Sequence, residues 1–474
     1  MINSKDANPQ PSLRAKGDLI WSQSYLAGTL NPVVGKAKPL GGTEVRCLAE
    51  FDGDIYAGTG MWMDELICCP NTPAAQVLRL DGNQWGEELE LGGEEVTFEG
   101  LKRQIVVSCM STVEVDGDDK YLLVGSADRY RGVRLFYRKK TAEGSDWGVS
   151  VILPTEENLR DLTHTRSVVH YRDSETRENK IIAGLSNGKG FWSVNLADLE
   201  NGTAWTKEPV AVGEEIGEWD RVMAMAKAVT PHGERLFAVA CGKVYRRKDG
   251  ASPEWKLIGR LEIEKCDQDP GELGFRGLTA VPGTSENENY LLAAFEGSIN
   301  PGIYVIKNIA GDEAQIILEK PLYNILDNSP AYGSYWQSKN KGYSIIAYNR
   351  MTPCVLPFNG RKALLMGIEV YTGAGDSWNG WEKGGWFIAR EVSETYSPNP
   401  VYYLGKIDNS QGKFIYPLIA VRDILVQSGP NPMIDFTMYH AGFDANRNYC
   451  HNTGWIYKGD WQAKVDEDDP VDDF

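Results

Sequence analysis

The sequence predicts an all-β protein, a seven-bladed β-propeller, from three observations. An arginine followed by an apolar strand, a turn and a second strand ending near glycine recurs along the chain, and a seventh copy has Pro353 in place of the arginine. The copies begin about 55 to 77 residues apart, which leaves room for about four strands in each. Long helical periodicity is absent.

The strands of one copy differ in polarity in a regular order. The first is apolar almost throughout, as in RCLAEF and RQIVVS, so both of its faces are expected to be covered. The second, as in DIYAGTG, ends in glycine, and the third resembles QVLRLDG. The last is polar and often contains tryptophan, as in NQWGEELEL. A propeller blade requires this gradient, because its inner strand lines the axis and its outer strand meets water.

Residues 1–474 are expected to form a single propeller domain, with two smaller β-domains as the alternative. The N-terminal segment DLIWSQSYL has no copy of its own, and the last copy lacks a clear fourth strand. We therefore expect this segment to close the ring beside the last copy. The acidic end, residues 464–474, is expected to be solvated and flexible.

Charge and hydropathy exclude several classes of partner. The formal net charge of -17 argues against a nucleic-acid partner, since phosphate contacts need a positive surface. No run of 18 apolar residues occurs, so no membrane-spanning helix is predicted, and we expect a monomer. The polar start MINSKDANPQPSLRAKGDL lacks the apolar region of a signal peptide, so the export signal of a secreted form is expected to be missing from this sequence.

The eight cysteines show no CxxC spacing, so the sequence signals no zinc site. Four lie inside strand segments and are expected to be buried thiols rather than disulfides: Cys47, Cys109, Cys241 and Cys354. The other four lie in loops and are better candidates for bridges: Cys68, Cys69, Cys266 and Cys450.

The repeated arginines point to a site, because an arginine that begins each inner strand would lie near one mouth of the axis. The candidates are Arg46, Arg103, Arg166, Arg221, Arg276 and Arg422. Each could instead pair with a nearby carboxylate and fix its blade to the next, and the carboxylates in question are Glu44, Asp161, Asp220, Glu272 and Asp423. We expect at least two guanidiniums to remain available for a carboxylate or sulfate ligand.

Histidines and loop aromatics supply the remaining candidates. His164, His440 and His451 are candidates for a general base or acid, with His164 favoured because it lies two residues before Arg166 on an extended chain. Weaker candidates for the acid are Tyr130, Tyr371 and Tyr449. Trp62 and Tyr130 lie in loops predicted at the same mouth, where aromatic rings could stack on a sugar; ordinary loop packing is the alternative.

With its arginine-led strands and the phrases FDGDIYAGTGMWMD and AQVLRLDG, the whole chain resembles the propeller-fold polysaccharide lyases. It is most similar to the fungal L-rhamnose-α-1,4-D-glucuronate lyases that trim gum arabic side chains. No short diagnostic motif carries the likeness. It implies secretion, carbohydrate degradation by β-elimination without a redox cofactor, and an acidic polysaccharide or oligosaccharide substrate. By this resemblance Arg166 neutralises the uronate carboxylate, with Arg221 as its neighbour.

Two other classes of function stay open at this stage. A sialidase-like glycoside hydrolase also holds a carboxylate with several arginines on a propeller, but its usual SxDxGxxW repeats do not occur here. A non-catalytic propeller that binds a protein or glycan partner would need neither the inward arginines nor the neighbouring histidines. It predicts guanidiniums that are all paired internally.

Overall fold

The computed structural model describes the following residues, and all structural statements concern these alone: 17–27, 41–60, 75–93, 95, 103–115, 120–128, 132–141, 144–154, 163–202, 204–214, 216–218, 220–262, 274–296, 300–326, 343–371, 384–408, 418–444 and 453–463. β-strand is their main secondary structure and helices are few and short, so the chain is an all-β protein. The named strands in this part of the chain pair only antiparallel; most pairs lie within one sequence repeat, and short pairings also join the first repeat to the second and the second to the third.

The N-terminal strand is β1 (Gly17–Leu26). The first repeat contains β2 (Glu44–Phe51), β3 (Asp54–Gly60), β4 (Gln76–Asp81) and β5 (Gln84–Glu90). The second contains β6 (Gln104–Glu114), β7 (Lys120–Asp128), β8 (Val133–Thr141) and β9 (Gly144–Leu153). The third contains β10 (Thr163–Arg172), β11 (Asn179–Leu185), β12 (Gly190–Asn195), a 3-10 helix (Leu196–Asn201) and β13 (Thr206–Glu208). The fourth contains β14 (Val222–Thr230), β15 (Gly233–Ala240), β16 (Lys243–Lys248) and β17 (Glu254–Arg260).

The fifth repeat contains β18 (Gly274–Pro282), β19 (Asn289–Glu296), β20 (Gly302–Lys307) and β21 (Gln315–Pro321), and the helical turn α1 (Leu322–Ile325) follows it. The sixth contains β22 (Tyr343–Ile346), β23 (Thr352–Val355), β24 (Lys362–Tyr371), β25 (Trp386–Glu391) and β26 (Tyr402–Lys406). The seventh contains β27 (Leu418–Ser428), β28 (Phe436–Asp444) and β29 (Gly454–Ala463). β1 lies beside β29 and completes a four-stranded sheet with these last strands.

The inner strands of successive repeats contact each other through short side chains and backbone. Ser167 Oγ on β10 donates a hydrogen bond to the Val222 carbonyl of β14, at 2.9 Å. Thr352 Oγ1 on β23 likewise donates to the Ile424 carbonyl of β27, at 2.6 Å. The last repeat also contacts the first, because the Leu48 amide on β2 donates to Asp423 Oδ2 on β27 at 2.8 Å.

A glycine on the second strand makes this close approach possible. A Cβ atom on Gly184 of β11 would come within 2.4 Å of Val222 Cγ1 and within 2.6 Å of Ser167 Oγ. Both neighbours are buried, and the Ser167 hydroxyl is held by its hydrogen bond to the Val222 carbonyl, so neither moves easily. The glycine that ends the second strand of the sequence repeat therefore leaves space for the next repeat.

We expect Gly184→Ala to lower the free energy of unfolding by about 1–3 kcal/mol, because the new methyl group overpacks this interface. Urea unfolding followed by circular dichroism measures the change. Gly86→Ala is the matched control, since a Cβ atom on Gly86 of β5 would meet nothing within 4 Å. If both variants unfold at the same urea concentration, the interface tolerates the methyl group and the explanation for Gly184 is wrong.

The inner strands carry β-bulges, and the bulges show which arginines are equivalent. The pairing register shifts at Arg46 on β2, Arg166 on β10, Arg276 on β18 and Arg422 on β27. A bulge leaves one residue unpaired and redirects its side chain. The equivalent bulges on β6 and β14 lie at Ser108 and Met223.

Three positions assigned to the arginine repeat are therefore wrong. Arg103 lies five residues before the bulge residue Ser108, and Arg221 lies two residues before Met223. In the sixth repeat, Ile346 pairs with Ile368 and Thr352 with Leu365, so the bulge falls between Ile346 and Thr352 rather than at Pro353. The bulged segment contains Tyr348 and also Arg350, whose Nε pairs with Asp423 Oδ1 at 2.9 Å.

Two further observations concern the sequence predictions. Cys47, Cys109 and Cys241 have free, buried thiols, which confirms that expectation; the thiol of Cys354 is also free but only partly buried, and the other four cysteines lie outside the described residues. No helix in the part of the chain that the structure describes is long and apolar enough to cross a membrane.

Candidate functional site

The four bulge arginines converge on the ring of Tyr348. The guanidinium carbon of Arg422 lies 4.2 Å from the centre of that ring, and those of Arg46 and Arg276 each lie 5.3 Å from it. Arg166 approaches the other end of the side chain, where its Nη1 donates a hydrogen bond to the Tyr348 hydroxyl at 3.2 Å. All five side chains are buried. Four inner strands of different repeats thus place positive charge around one phenol.

Three of these guanidiniums form ion pairs with buried carboxylates. Arg46 Nε lies 2.5 Å from Glu44 Oε1, and Arg422 Nε lies 3.4 Å from Glu44 Oε2. Arg422 also pairs with Glu369 on β24, and Arg276 pairs with Glu296 on β19. Burial raises the pKa of Glu369 to about 7, because the nearby Arg422 only partly offsets burial and the repulsion from Glu296 and Glu44.

Arg166 differs from the other three because no carboxylate contacts it within the described residues. Its Nε has no hydrogen-bond partner there, although the side chain is only 7% exposed. The pKa of Arg166 is lowered to about 9, mainly by burial; Tyr348 opposes the shift and the neighbouring guanidiniums add to it. The group stays protonated at pH 7. Arg166 is therefore a buried positive charge that no carboxylate contacts among the described residues.

His164 lies two residues before Arg166 on β10 and is also buried. Its backbone amide donates to Ser186 Oγ at 2.8 Å, but its ring Nδ1 has no partner among the described residues. Burial and then the charges of Arg166, Arg46 and Arg221 hold the pKa of His164 well below its ordinary value. The imidazole is therefore neutral at pH 7.

The hydroxyls of the two threonines that alternate with these residues, Thr163 and Thr165, are also buried without a described partner. Four consecutive residues of β10 thus carry an unsatisfied buried polar atom. Buried polar atoms in native proteins are normally hydrogen-bonded, and a group of exceptions needs an explanation such as a ligand or ordered water. This end of β10 is the strongest sign of a binding site in the described part of the chain.

The ionisation of Tyr348 is shifted in an unusual direction. Burial raises the pKa of a phenol, yet the pKa of Tyr348 lies below its ordinary value because Arg46, Arg166, Arg422 and Arg276 outweigh the burial. Other buried tyrosines of this protein show the opposite shift; burial raises the pKa of Tyr56, for example, to about 12. The arginine cluster therefore stabilises the anionic form of Tyr348.

The remaining arginine candidates lie outside this cluster. Arg103 on the second repeat pairs with Asp128 at 2.8 Å. Arg221 influences His164 and Arg166 through its charge, but it does not lie on a bulge. Asp220, one of the carboxylates that could pair with an arginine in the alternative interpretation, forms an ion pair with Lys243 at 2.6 Å.

His440 is a core residue and not part of the cluster. Its ring packs edge-on against Trp21 and Phe387, at centroid distances of 5.0 and 4.6 Å, and its Nε2 lies 3.0 Å from Met438 Sδ. Burial lowers the pKa of His440 to about 3, and no nearby charge contributes to the shift. His440 thus packs against apolar side chains and touches none of the clustered arginines, so it is not a candidate for proton transfer at this cluster.

Several sequence candidates lie outside the described residues: His451, Trp62, Tyr130, Tyr449, Asp161 and Glu272. The side chain of Tyr371 is also outside them. In this part of the chain, no group of three or more His, Cys, Asp or Glu side chains is placed to hold a metal ion.

Comparisons with known proteins do not assign the chain to a family. No protein-family model matches the chain, and no curated protein matches it. Among solved structures, a protein from Lactobacillus plantarum has a TM-score of 0.37 at 10% identity, covering 91% of this chain and 93% of that one.

A lectin of Agrocybe aegerita, described as recognising non-reducing terminal N-acetylglucosamine, has a TM-score of 0.38 at 11% identity over 88% of this chain and 90% of its own. The WD40 domain of SCAP from fission yeast has a TM-score of 0.36 at 8% identity over 94% and 90%. All three TM-scores are below 0.5, so no statement about this chain rests on these similarities.

Proposed function

We propose that the chain is a seven-bladed β-propeller with the arginine cluster at its axis. The hydrogen bonds between successive inner strands support this arrangement, as does the contact of the last repeat with the first. Side chains from four different inner strands can meet around Tyr348 only if those strands surround a common centre. A closed ring would also account for the pairing of the N-terminal strand β1 with β29 of the last repeat.

We further propose that this centre binds an anionic sugar and that the protein is a polysaccharide lyase. The substrate class is a uronate, with L-rhamnosyl-α-1,4-D-glucuronate as the specific candidate from the resemblance in sequence. The proposal depends most on the environment of Arg166. Its guanidinium is buried, no carboxylate contacts it among the described residues, and its Nε has no hydrogen-bond partner there. A planar guanidinium binds a carboxylate through two parallel hydrogen bonds.

The chemistry follows from what such binding does to the substrate. An ionised carboxylate opposes removal of the proton on the neighbouring C5, because the resulting carbanion places more negative charge on the same group. Arg166 would neutralise the carboxylate and stabilise the enolate that forms from it. His164 and Tyr348 lie beside Arg166 and are the groups that could exchange a proton with the substrate.

The paired arginines have a different part in this proposal. Arg46, Arg276 and Arg422 are held by carboxylates, so they set the local electrostatic potential and the position of Tyr348. A sialidase-like hydrolase or a non-catalytic lectin would also use a buried guanidinium to hold a carboxylate. The reaction products separate these three functions.

The test is incubation with a panel of glucuronate-containing polysaccharides, including gum arabic. Elimination gives a 4,5-unsaturated uronate, which absorbs in the ultraviolet and is lighter by one water than the product of hydrolysis. We expect the unsaturated product from at least one member of the panel and none from the same glycan after its carboxyl groups have been reduced to alcohols. Saturated products would show a hydrolase, and binding without products would show a lectin; either result contradicts the proposed lyase.

A further inference from the structure

We propose that Tyr348 is the general base of this site and that it takes the C5 proton of the uronate as a phenolate. This inference rests on the proposed function and adds the residue that starts the reaction. Tyr348 carries no distinguishing motif in the sequence, because the long bulge that presents it is visible only in the pairing register of the sixth repeat.

The geometry places the Tyr348 hydroxyl beside the group that would hold the substrate. Arg166 Nη1 donates to that hydroxyl at 3.2 Å, while Arg166 Nε has no described partner. One guanidinium can therefore contact the phenol through one nitrogen and the substrate carboxylate through another. C5 is bonded directly to the carboxylate carbon, so a carboxylate held by Arg166 brings the C5 proton close to the phenol oxygen.

The charges that face Tyr348 favour its anionic form. The positive groups come from four inner strands and are Arg46, Arg166, Arg276 and Arg422. The negative groups behind them are Glu44, Glu296 and Glu369, which contact the guanidiniums, and the neighbouring His164 is neutral at pH 7. The pKa of Tyr348 is therefore lower than that of a phenol in water, which favours proton uptake from the substrate by the phenolate form.

The same charges make His164 the poorer base. A histidine that takes a proton becomes a cation, and here it would be a cation beside Arg166, Arg46 and Arg221. Tyrosine that takes a proton becomes neutral and adds no positive charge to the cluster. His164 is thus better suited to hold the substrate through a hydrogen bond from its neutral ring.

The proton and electron balance of the step is complete without a co-reactant. The phenolate oxygen takes the proton from C5, and the electron pair of that bond forms the enolate on the neutralised carboxylate. The electrons then form the C4–C5 double bond, and the C4–O bond breaks. The leaving oxygen takes the proton back from Tyr348, which restores the phenolate.

The kinetic test compares Tyr348→Phe with the wild-type protein on the polysaccharide that gives the unsaturated product. We expect kcat to fall by about a thousandfold, the usual range for general base catalysis, while the Kd of the substrate changes by less than about fivefold. Tyr245→Phe is the control, because it removes a tyrosine hydroxyl in the core of the fourth repeat, away from the arginine cluster; unlike that of Tyr348, this hydroxyl has no described partner. That control should keep wild-type kcat.

A spectroscopic test does not depend on catalysis or on folding of the variant. Tyrosinate absorbs at longer wavelength than tyrosine, so titration of the wild-type protein should show one phenol ionising at lower pH than the rest. The rise of wild-type kcat with pH should have the same midpoint, and Tyr348→Phe should lack this first ionisation if it folds.

The outcomes separate this inference from the proposed function. Two results would show that the base is another group and that only the assignment of Tyr348 is wrong. The first is a wild-type protein that forms the unsaturated product although none of its phenols ionises at lower pH than the rest. The second is a folded Tyr348→Phe protein whose kcat is within tenfold of the wild-type value. A larger loss in His164→Ala than in Tyr348→Phe would also overturn it. If the wild-type protein forms no unsaturated product from any glycan, the proposed function falls and the base assignment falls with it.

Discussion

Replacing Arg166 with alanine is expected to reduce turnover of the uronate substrate by roughly a hundredfold or more while leaving the folded protein at least as stable as the wild type. Loss of a contact to the developing enolate costs on the order of 3 kcal/mol in the transition state. The stability expectation has a separate cause: no carboxylate contacts the buried Arg166 in the described structure, and its one described hydrogen bond, to the Tyr348 hydroxyl, repays only part of the cost of taking the charge out of water.

Arg166→Lys tests whether the shape of the group matters as well as its charge. A lysine ammonium is a point charge and cannot form two parallel hydrogen bonds with a carboxylate, so we expect it to restore little of the lost activity. Kinetics on the best substrate and thermal melting measure both effects. Unchanged turnover in Arg166→Ala would remove this residue from the mechanism, and a large loss of stability would show that Arg166 is a structural residue.

Replacing Arg247 with methionine is expected to have the opposite pattern, a large loss of stability without a direct effect on the site. Arg247 on β16 is fully buried, and its Nε and Nη2 contact the two carboxylate oxygens of Glu208 at 2.9 and 2.8 Å. Its Nη1 contacts Asp173 at 2.8 Å and Asp249 at 2.6 Å. The guanidinium thus joins the third and fourth repeats through three buried carboxylates.

Removing one partner of a buried ion pair leaves the other charge uncompensated, which typically costs about 3–5 kcal/mol. Arg247→Met should therefore lower the free energy of unfolding by about this amount, as measured by urea unfolding. The fraction that remains folded should retain its turnover number. A loss of stability below about 1 kcal/mol would show that the three carboxylates find other partners or take up protons at little cost.

The stability effects of replacing Arg166 and Arg247 serve as controls for each other. Both residues are buried arginines, and carboxylates contact Arg247 but, among the described residues, not Arg166. If the stability effects of the two substitutions were equal, contact with carboxylates would not be what distinguishes the site from the structural network.

Much of the fold follows from the sequence because strand pairs have a short repeating pattern of apolar residues and glycine. The arrangement of four strands in a repeat depends on that pattern, and Gly184 shows the physical reason for its conserved place in the unit. The bulges could not be predicted in this way. A one-residue shift in pairing leaves no mark on composition, so Arg103 and Arg221 looked equivalent to the four arginines that meet at the centre.

Only part of the candidate site could be predicted, because positions along a strand can be read from the sequence whereas the face that a side chain occupies cannot. Arg166 and His164 follow from their positions on one strand, and the structure places Arg166 in the cluster and His164 beside it. His440 was misplaced because sequence alone does not show which face of β28 it occupies. Tyr348 was missed because its segment, AYNR, does not begin with an arginine followed by an apolar strand; its position among the charges of four distant strands is visible only in the structure.

The most direct test of the central claim, that the arginine cluster binds the carboxylate of a sugar, is a calorimetric comparison of two oligosaccharides. One carries a glucuronate and the other is the same compound with its carboxyl group reduced to an alcohol. The account predicts that the wild-type protein binds the acid at least tenfold more tightly than the alcohol, and that Arg166→Ala binds the two equally. Equal affinity of the wild-type protein for both compounds, or an undiminished preference for the acid in Arg166→Ala, would contradict it.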